Sequence, residues 1–332
     1  MIYFRAIPQF DAARPADALP IAGGWTWFTH AEVLERGRAP QIVPASEVPT
    51  ETLAAITAPR PAVVGLTLDR PRLMGILNVT PDSFSDGGQF MDPAAAIAQA
   101  RQMAQDGADI LDIGGESTRP GAVEVQIAEE IDRTAPVIAA IQGAGHVISI
   151  DTRKSAVGRA ALQAGAAILN DVSAMTFDPA MADLAAQTAA PICLMHAQGL
   201  PETMQNDPRY DDVVLDVYDH LAERIAVARA AGIAAEQIIT DPGIGFGKTL
   251  GHNLALLRRL SIFHSLGAPI LLGASRKRFI GVISGAQEAA DRMPGSVSVA
   301  LMGALQGVHI LRVHDTLATK QAFSLMQATL GS

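Results

Sequence analysis

From Leu73 to the C-terminus, short apolar runs alternate with longer segments in which apolar residues recur at helical spacing. The short runs are rich in Leu, Ile and Val and predict eight strands, at 73–77, 109–113, 147–150, 166–169, 191–195, 237–240, 269–272 and 308–312. The longer, Ala-rich segments predict helices at 93–105, 124–142, 154–163, 180–189, 213–231, 250–265 and 316–330. Regular alternation of strand and helix is typical of a parallel α/β fold.

Eight such units fit a closed parallel (β/α)8 barrel, which usually occupies about 250 residues. A doubly wound open sheet is the runner-up, but it would normally show a glycine-rich phosphate turn after its first strand. No such turn follows residues 73–77. The sequence therefore predicts an α/β protein of the (β/α)8 TIM-barrel class, with the barrel over residues 71–332 and an N-terminal extension before it.

Residues 1–70 differ from the rest of the chain. They contain both tryptophans, Trp25 and Trp27, several prolines and no repeated pattern. We predict an appended extension of uncertain α+β structure that packs on the barrel or on a second subunit. Its role cannot be read from the sequence.

The composition excludes several classes of function. A formal charge of −9 argues against a nucleic-acid surface or an acidic membrane surface, where a basic stripe is expected. The single cysteine, Cys193, rules out an internal disulfide framework and lies in an apolar run, which predicts a buried structural thiol in a reducing cytoplasm. No signal peptide is recognisable at the start, and no stretch approaches 18 apolar residues.

Polar or charged residues stand where each predicted strand stops. In chain order they are Asn78, Gly114-Gly115-Glu116, Asp151, Asn170-Asp171, His196, Asp241, Ser275-Arg276-Lys277, and Arg312 with His314. In a (β/α)8 barrel all eight carboxyl ends converge on one mouth, where the active site lies. Any one of these residues could be a helix cap, but lysine and arginine are poor N-caps. The set predicts an enzyme mouth.

The candidate residues divide by charge. Asp151, Asn170 and Asp241 are hydrogen-bond acceptors, whereas Lys277, Arg312 and His314 are donors. Acceptors in a partly dry pocket favour a ligand edge rich in N–H groups, such as an aminopyrimidine. Clustered cations favour phosphate or carboxylate. The sequence thus indicates a bipartite ligand, with a nitrogen-rich ring at one end and an anion at the other.

Three loops are rich in glycine or polar residues. Residues 80–88 contain one aromatic, Phe84, among hydroxyls and end in two glycines, and residues 116–121 place Arg119 between hydroxyls and a Pro-Gly pair. Each of these two loops is either a plain turn or a lid that closes over the site. Residues 243–249 resemble a nucleotide-binding loop, but Pro242 stands where that motif needs glycine, so we reject this reading. We interpret these glycines as room for the backbone to approach a flat ring.

The ordered motifs resemble those of the dihydropteroate synthases, the pterin-binding TIM-barrel family. The first two motifs are Met74 to Gly88 and Asp112 to Gly121. The others are Ile150-Asp151-Thr152, Asn170-Asp171, Met195-His196, Asp241-Pro242-Gly243, Ser275-Arg276-Lys277 and Arg312-Val313-His314-Asp315. The resemblance runs from about Leu73 to the C-terminus. Each motif alone is weak, but the ordered set is specific.

This resemblance implies a reaction and a set of residue roles. The reaction is the condensation of 6-hydroxymethyl-7,8-dihydropterin pyrophosphate with p-aminobenzoate in folate biosynthesis, giving 7,8-dihydropteroate and pyrophosphate. Catalytic roles fall to Asp86, Arg119 and Lys277. Pterin binding falls to Asp151, Asn170, Met195, Asp241, Phe246, Gly273 and Lys277. Pyrophosphate binding falls to Asn78, Arg312 and His314, and p-aminobenzoate binding to Phe84, Thr118, Pro120 and Lys277. Asn78 is also the implied ligand of Mg2+, the one cofactor. The implied partners are these small molecules and a second copy of the chain in a homodimer.

Two positions depart from the family pattern. Ala197 stands where many members carry methionine, and Arg278 stands where some carry a small hydroxyl residue beside p-aminobenzoate.

Two other functions are alternatives to the synthase activity. A methyltetrahydrofolate methyltransferase would share the pterin acceptors, but it would have no reason to keep the Arg312 and His314 clamp. A non-catalytic pterin-binding paralogue would not need the two loops.

Overall fold

The first 70 residues fold as a small α+β layer. The computed structural model describes residues 1–80, 93–117, 121–143, 145–199 and 203–330. Within the extension the elements are β1 (Ile2–Ala6), β2 (Leu19–Pro20), β3 (Trp27–Phe28), β4 (His30–Glu35), β5 (Gln41–Pro44) and α1 (Thr50–Thr57). β1, β4 and β5 form an antiparallel sheet, and β2 pairs with β3. Phe28 and Ile56 are fully buried in a core that belongs to the extension alone.

Polar side chains attach this layer to the barrel. The Tyr3 hydroxyl donates to Asp219 at 2.9 Å, and the Trp25 indole N–H donates to the Ala304 carbonyl at 2.7 Å. The buried Arg60 guanidinium donates at 2.8 Å both to Ala55 at the end of α1 and to the carbonyl of His264. Burial lowers the pKa of Arg60 to about 10, so the group remains charged at neutral pH. The extension therefore packs on the barrel, one of the two placements that the sequence left open.

Eight parallel strands form the barrel. They are β6 (Arg72–Asn78), β7 (Ile110–Gly114), β8 (Val147–Asp151), β9 (Ile168–Asp171), β10 (Ile192–Met195), β11 (Ile238–Asp241), β12 (Leu271–Leu272) and β13 (Ile310–Val313). Ladders run from β11 through β10, β9, β8, β7, β6 and β13 to β12. A bridge between Thr240 and Ile270 joins β11 to β12 and closes the ring. The predicted (β/α)8 barrel is confirmed.

Nine helices occur among the described residues after β6. They are α2 (Pro93–Gln105), α3 (Ile127–Ile141), α4 (Ser155–Ala164), α5 (Ala180–Thr188), α6 (Val213–Ala230), α7 (Leu250–Arg258), α8 (Arg278–Ser284), α9 (Met293–Ala304) and α10 (Thr316–Leu330). The sequence predicted a single helix over 250–265, which the structure divides into α7 and a 3-10 segment, Leu260–Leu266. None of the described helices is both long enough and apolar enough to cross a membrane.

The sequence analysis did not predict α8 or α9. α9 carries glycine at 295 and 303 as well as two valines, which lower its helix propensity. The glycines are needed for packing: a Cβ on Gly303 would lie 2.7 Å from the Leu272 side chain, and one on Gly295 would overlap Ile280. Tertiary packing therefore overrides the weak local preference.

Apolar side chains fill the barrel near the amino ends of the strands. This group contains Met74, Ile110, Ile168, Cys193, Ile239, Leu271 and Ile310 from the strands, with Val63 and Leu68 from the extension. Cys193 is fully buried there, which confirms the prediction of a structural thiol. Burial raises the pKa of this thiol well above its ordinary value and leaves it unreactive.

The turn formed by residues 63–66, which lies beside this group of apolar side chains, has a strained backbone. Val63 and Leu66 exchange backbone hydrogen bonds of 3.0 and 2.9 Å around Val64 and Gly65, which have φ of +48° and +78°. Asn-Gly suits such a turn, and a β-branched residue does not. We expect Val64→Asn to raise the free energy of unfolding by about 1 kcal/mol in urea denaturation. Gly65→Ala, at the next position, is the matched control and should lower it. A Val64→Asn variant no more stable than the parent would contradict the strain.

Candidate active site

Strand register places the predicted site residues at the carboxyl end of the barrel in two rows. Gly114 at the end of β7 pairs with Asn78 of β6 and with Asp151 of β8, which in turn pairs with Asn170 of β9. Asn170 pairs with Cys193 of β10, so Met195 and its partner Asp241 of β11 stand two residues further along their strands. The carboxyl ends of six neighbouring strands therefore carry these residues, as the sequence predicted for a barrel mouth.

Arg312, from β13, lies at the centre of this ring. Its Nε donates to Asp112 Oδ2 at 2.6 Å, and its Nη2 donates to Asp151 Oδ2 at 2.6 Å. Asn170 Nδ2 donates to the same Asp112 oxygen at 2.9 Å. Burial alone would lower the pKa of Arg312, but the two carboxylates outweigh it and hold the pKa above its ordinary value. A permanent cation thus bridges the carboxylates of two strands, β7 and β8.

Asp112 is a site residue to which the sequence analysis assigned no role. It lies in the middle of β7, in the run Ile-Leu-Asp-Ile-Gly, and it is fully buried. A lone carboxylate inside an otherwise apolar, buried strand needs a partner, and that pattern was the available signal. Its partner is Arg312, 200 positions later in the chain.

Two carboxylate oxygens in the ring have no hydrogen-bond partner in the described part of the chain. They are Asp112 Oδ1 and Asp151 Oδ1, both buried. Burial raises the pKa of Asp151 to about 7, Arg312 opposes the rise, and Asp112 adds to it. Burial also raises the pKa of Asp241, against the opposing charge of Lys277. Buried acceptors without donors are costly, and a ligand with N–H groups would satisfy them.

Lys277 forms the other side of the pocket. Its Nζ lies 4.2 Å from the centre of the Phe246 ring and donates to the Ile244 carbonyl. Burial lowers the pKa of Lys277 to about 7, although Asp241 acts to raise it. A Cβ on Gly245 would lie 2.8 Å from the Lys277 side chain, so glycine at 245 leaves room for this side chain. Lys277 can therefore gain or lose a proton near neutral pH.

His314 and Gly273 complete the described site. Ser275 Oγ lies 3.0 Å from His314 Nδ1 and accepts from the His314 backbone N–H at 3.2 Å. A Cβ on Gly273 would lie 3.7 Å both from Asp241 Oδ2 and from Arg312 Cδ, so this glycine borders the pocket. Met195 is buried at the end of β10.

Some strand-end residues face the protein interior instead of the mouth. Glu116 accepts from Arg153 at 2.9 Å and from Lys154 at 2.6 Å, and all three residues are buried. His196 Nδ1 lies 2.8 Å from the buried Lys248 Nζ, and burial lowers the pKa of this histidine to about 2. The prediction that every strand end joins one ligand site was too broad.

The glycines of the 243–249 loop also differ from the prediction. A Cβ on Gly243 would overlap the His196 carbonyl, and one on Gly247 would overlap the Gln198 carbonyl. These two glycines therefore bring the loop against the backbone that follows β10, which is part of this chain. The sequence analysis had assigned that room to a flat ligand ring.

Five of the predicted site residues lie outside the described residues. They are Phe84, Asp86, Thr118, Arg119 and Pro120. Their roles remain predictions, as do the two loops that contain them.

The described residues hold no group of three or more His, Cys, Asp or Glu side chains suited to a metal ion. Asn78 Oδ1 lies 3.6 Å from the position of a Cβ on Gly114, and Asp151 Oδ2 lies 3.8 Å from the same point. One amide oxygen beside one carboxylate suits a small hard cation that takes its remaining ligands from a substrate and water. It does not suit a cation bound by protein alone.

The architecture and the mouth define a barrel enzyme with an acceptor-lined pocket beside a cluster of cations. Residues 74–314 match the family model of pterin binding enzymes. The dihydropteroate synthase of Escherichia coli K12 is 47% identical over 268 residues, covering 80% of this chain and 94% of that protein. The chain belongs to the pterin-binding enzymes and, within them, to the dihydropteroate synthases.

Solved structures agree in fold. A dihydropteroate synthase of Xanthomonas albilineans, determined with 4-aminobenzoic acid, matches with a TM-score of 0.76 at 46% identity, covering 81% of this chain and 97% of that one. A structure of the enzyme from the same organism in complex with 7,8-dihydropteroate matches with a TM-score of 0.73 at 44% identity, covering 80% and 96%. Both therefore share the barrel of this chain.

Proposed function

We propose that this chain condenses 6-hydroxymethyl-7,8-dihydropterin pyrophosphate with p-aminobenzoate to give 7,8-dihydropteroate and pyrophosphate. One observation carries the proposal: Arg312 bridges two buried carboxylates whose outer oxygens lack donors, in a barrel of this family. The related enzyme solved with 7,8-dihydropteroate supports the choice of product.

The acceptor side would bind the pterin. Asp112 Oδ1 and Asp151 Oδ1 would accept from the N–H groups of the ring, while their Oδ2 atoms keep Arg312 in place. Asn170 and Asp241 would add polar contacts. Met195, Phe246 and Gly273 would border the flat faces of the ring. A ligand that supplies donors to buried carboxylates recovers the cost of leaving them unpaired.

The cation side would bind the pyrophosphate. Arg312 uses Nε and Nη2 to contact Asp112 and Asp151, which leaves Nη1 for an anion, and His314 stands two residues further along. Charge grows on the pyrophosphate oxygen as its bond to the pterin methylene breaks, and fixed cations stabilise that charge. Mg2+, with Asn78 as its protein ligand, would supply further positive charge when bound.

The second substrate would enter beside Lys277. We propose that Phe84, Thr118 and Pro120 shape the p-aminobenzoate site with Lys277, and that Arg119 and Asp86 act in the same step. The amine of p-aminobenzoate is nucleophilic without deprotonation, so the reaction needs no strong general base. We propose a homodimer as the assembly.

A pyrophosphate-release assay tests the proposed function. The purified chain is supplied with dihydropterin pyrophosphate, Mg2+ and p-aminobenzoate, and dihydropteroate is identified by mass spectrometry. We expect release only when p-aminobenzoate is present. Pterin binding without any release would identify a non-catalytic paralogue and would refute the synthase activity.

A further inference from the structure

The turn between β12 and α8 carries an arginine where glycine would be favoured. The Lys277 N–H donates to the Ala274 carbonyl at 3.5 Å, so residues 274–277 form a turn with Arg276 in its third position. The φ of Arg276 is +56°. Positive φ at that position favours glycine, because a Cβ crowds the backbone there. An arginine held in this conformation points to a function for its side chain.

Contacts from three residues in two other segments hold Arg276. Its N–H donates to Ser296 Oγ at 2.8 Å, and its carbonyl accepts from Arg292 Nη1 at 3.1 Å. Its side chain forms a two-armed pair with Asp315: Nε donates to Oδ2 at 3.0 Å, and Nη2 donates to Oδ1. Such a fork fixes distance and orientation together. The loop after β12 is thereby tied to the loop after β13.

The two ends of this fork are direct chain neighbours of two site residues, Lys277 and His314. Lys277 follows Arg276, and His314 precedes Asp315. Ser275, on the other side of Arg276, contacts the His314 ring at 3.0 Å. Lys277 faces Phe246 in the pterin half, whereas His314 belongs to the pyrophosphate half. The Arg276–Asp315 ion pair therefore links the backbone beside Lys277 to the backbone beside His314.

We propose that Arg276 is a positioning residue, which through its fork to Asp315 sets Lys277 and His314 at the spacing that a pterin pyrophosphate requires. This inference rests on the proposed function. The ligand has a rigid ring joined to an anion, so both side chains must be correctly placed at once. A misplacement of about 1 Å at a reacting centre lowers turnover by about 100-fold.

A substitution at the strained turn can distinguish a role in positioning from a role in supporting the fold. The Arg276 side chain is 31% exposed, so solvent screens the ion pair in part, and its loss should lower stability only modestly. Glycine at 276 removes the fork but relieves the unfavourable φ. Arg276→Gly should therefore fold as well as the parent and lose only the positioning of Lys277 and His314.

The experiment compares Arg276→Gly and Asp315→Asn with the parent. We expect kcat/KM for the pterin pyrophosphate to fall by about 100-fold in Arg276→Gly, with its unfolding midpoint within about 2 °C of the parent. The Kd for inorganic pyrophosphate, by calorimetry, should rise about tenfold because His314 is displaced. Asp315→Asn should show the same pattern. Millimolar guanidinium should restore part of the activity of Arg276→Gly but none of that of Asp315→Asn.

Arg36→Gly is the matched control, since Arg36 forms ion pairs with Asp216 and Asp219 on α6 and should leave turnover unchanged. The proposal is overturned if Arg276→Gly keeps kcat/KM and pyrophosphate affinity within about threefold of the parent. If Arg276→Gly does not fold, Asp315→Asn and Arg276→Lys decide by the same measures. A parent without p-aminobenzoate-dependent release refutes the proposed function, while the pyrophosphate Kd still tests the fork.

Discussion

Replacing Asp112 by asparagine is expected to lower kcat/KM by about 100-fold or more while the chain stays folded. The variant removes the negative charge of the Asp112 carboxylate, whose Oδ2 accepts from Arg312 Nε and Asn170 Nδ2. Truncating one partner of a buried, hydrogen-bonded charge pair costs about 2–5 kcal/mol. Asp151 would then be the only carboxylate that holds Arg312, and the new NH2 group would replace either the oxygen that contacts Arg312 or the oxygen that we assign to the pterin. Both effects weaken binding of the transition state.

Steady-state turnover and pterin binding by fluorescence measure this effect. Asp171→Asn is the matched control, because Asp171 is equally buried, at the end of β9, two strands away in the same barrel. Its carboxylate accepts from Ser173 at 2.6 Å and from the Met175 N–H at 2.6 Å, within its own loop. We expect Asp171→Asn to lose stability but less than about tenfold in kcat/KM. Equal losses of activity in the two variants would show that Asp112 has no special place in the site.

The sequence was sufficient to predict the barrel because its strands are short, continuous apolar runs. β7, for example, was predicted at 109–113 and spans Ile110–Gly114, and α2 and α10 match their predicted bounds. Strand ends then follow from the same pattern, so the position of Asn78, Asp151 and Asp241 at the carboxyl ends of their strands could be predicted. Closure of the ring orders these ends in space without further information.

Contacts across the mouth could not be predicted in the same way. Arg312 was assigned to the anion half of the ligand, yet the structure directs two of its nitrogens at Asp112 and Asp151. Strand register fixes depth in a barrel, but side-chain length and rotamer decide which groups meet. The pairing of His196 with Lys248 has the same origin, since both are polar residues whose burial appears only after the loops pack.

The extension shows a further limit of periodicity. Its strands are two to six residues long, and part of its apolar core is its own. Its attachment combines scattered apolar residues, such as Leu34 and Val63, with single polar contacts, such as Trp25 to Ala304, and neither leaves a repeat in the sequence. Composition could therefore indicate α+β character, but it could not choose between packing on the barrel and packing on a second copy.

Mild acid is expected to destabilise the chain through the buried histidines beside the extension. Burial lowers the pKa of His264 to about 3 and that of His309 well below its ordinary value. His309 Nδ1 accepts from the Ile270 N–H at 3.1 Å, a bond that a proton on that nitrogen would break. Above pH of about 6.5 both the folded and the unfolded states are neutral at these positions, and the histidines have no effect on stability. Below that pH the unfolded state binds protons that the folded state cannot.

The free energy of unfolding should therefore fall with pH from about 6.5 towards 3, by about 1.4 kcal/mol per pH unit for each such histidine. Buried carboxylates with raised pKa, such as Asp151, act in the opposite direction below pH 7, so the total slope mixes both. A His264→Gln variant isolates one group. Its stability relative to the parent, from urea denaturation at pH 7.5, 6.0, 5.0 and 4.5 (values chosen to span about two units below the unfolded pKa), should improve steadily as pH falls. His309→Asn should behave alike, because its amide oxygen can still accept from Ile270. A difference between parent and variant that stays constant across these pH values would mean that His264 takes up its proton without unfolding.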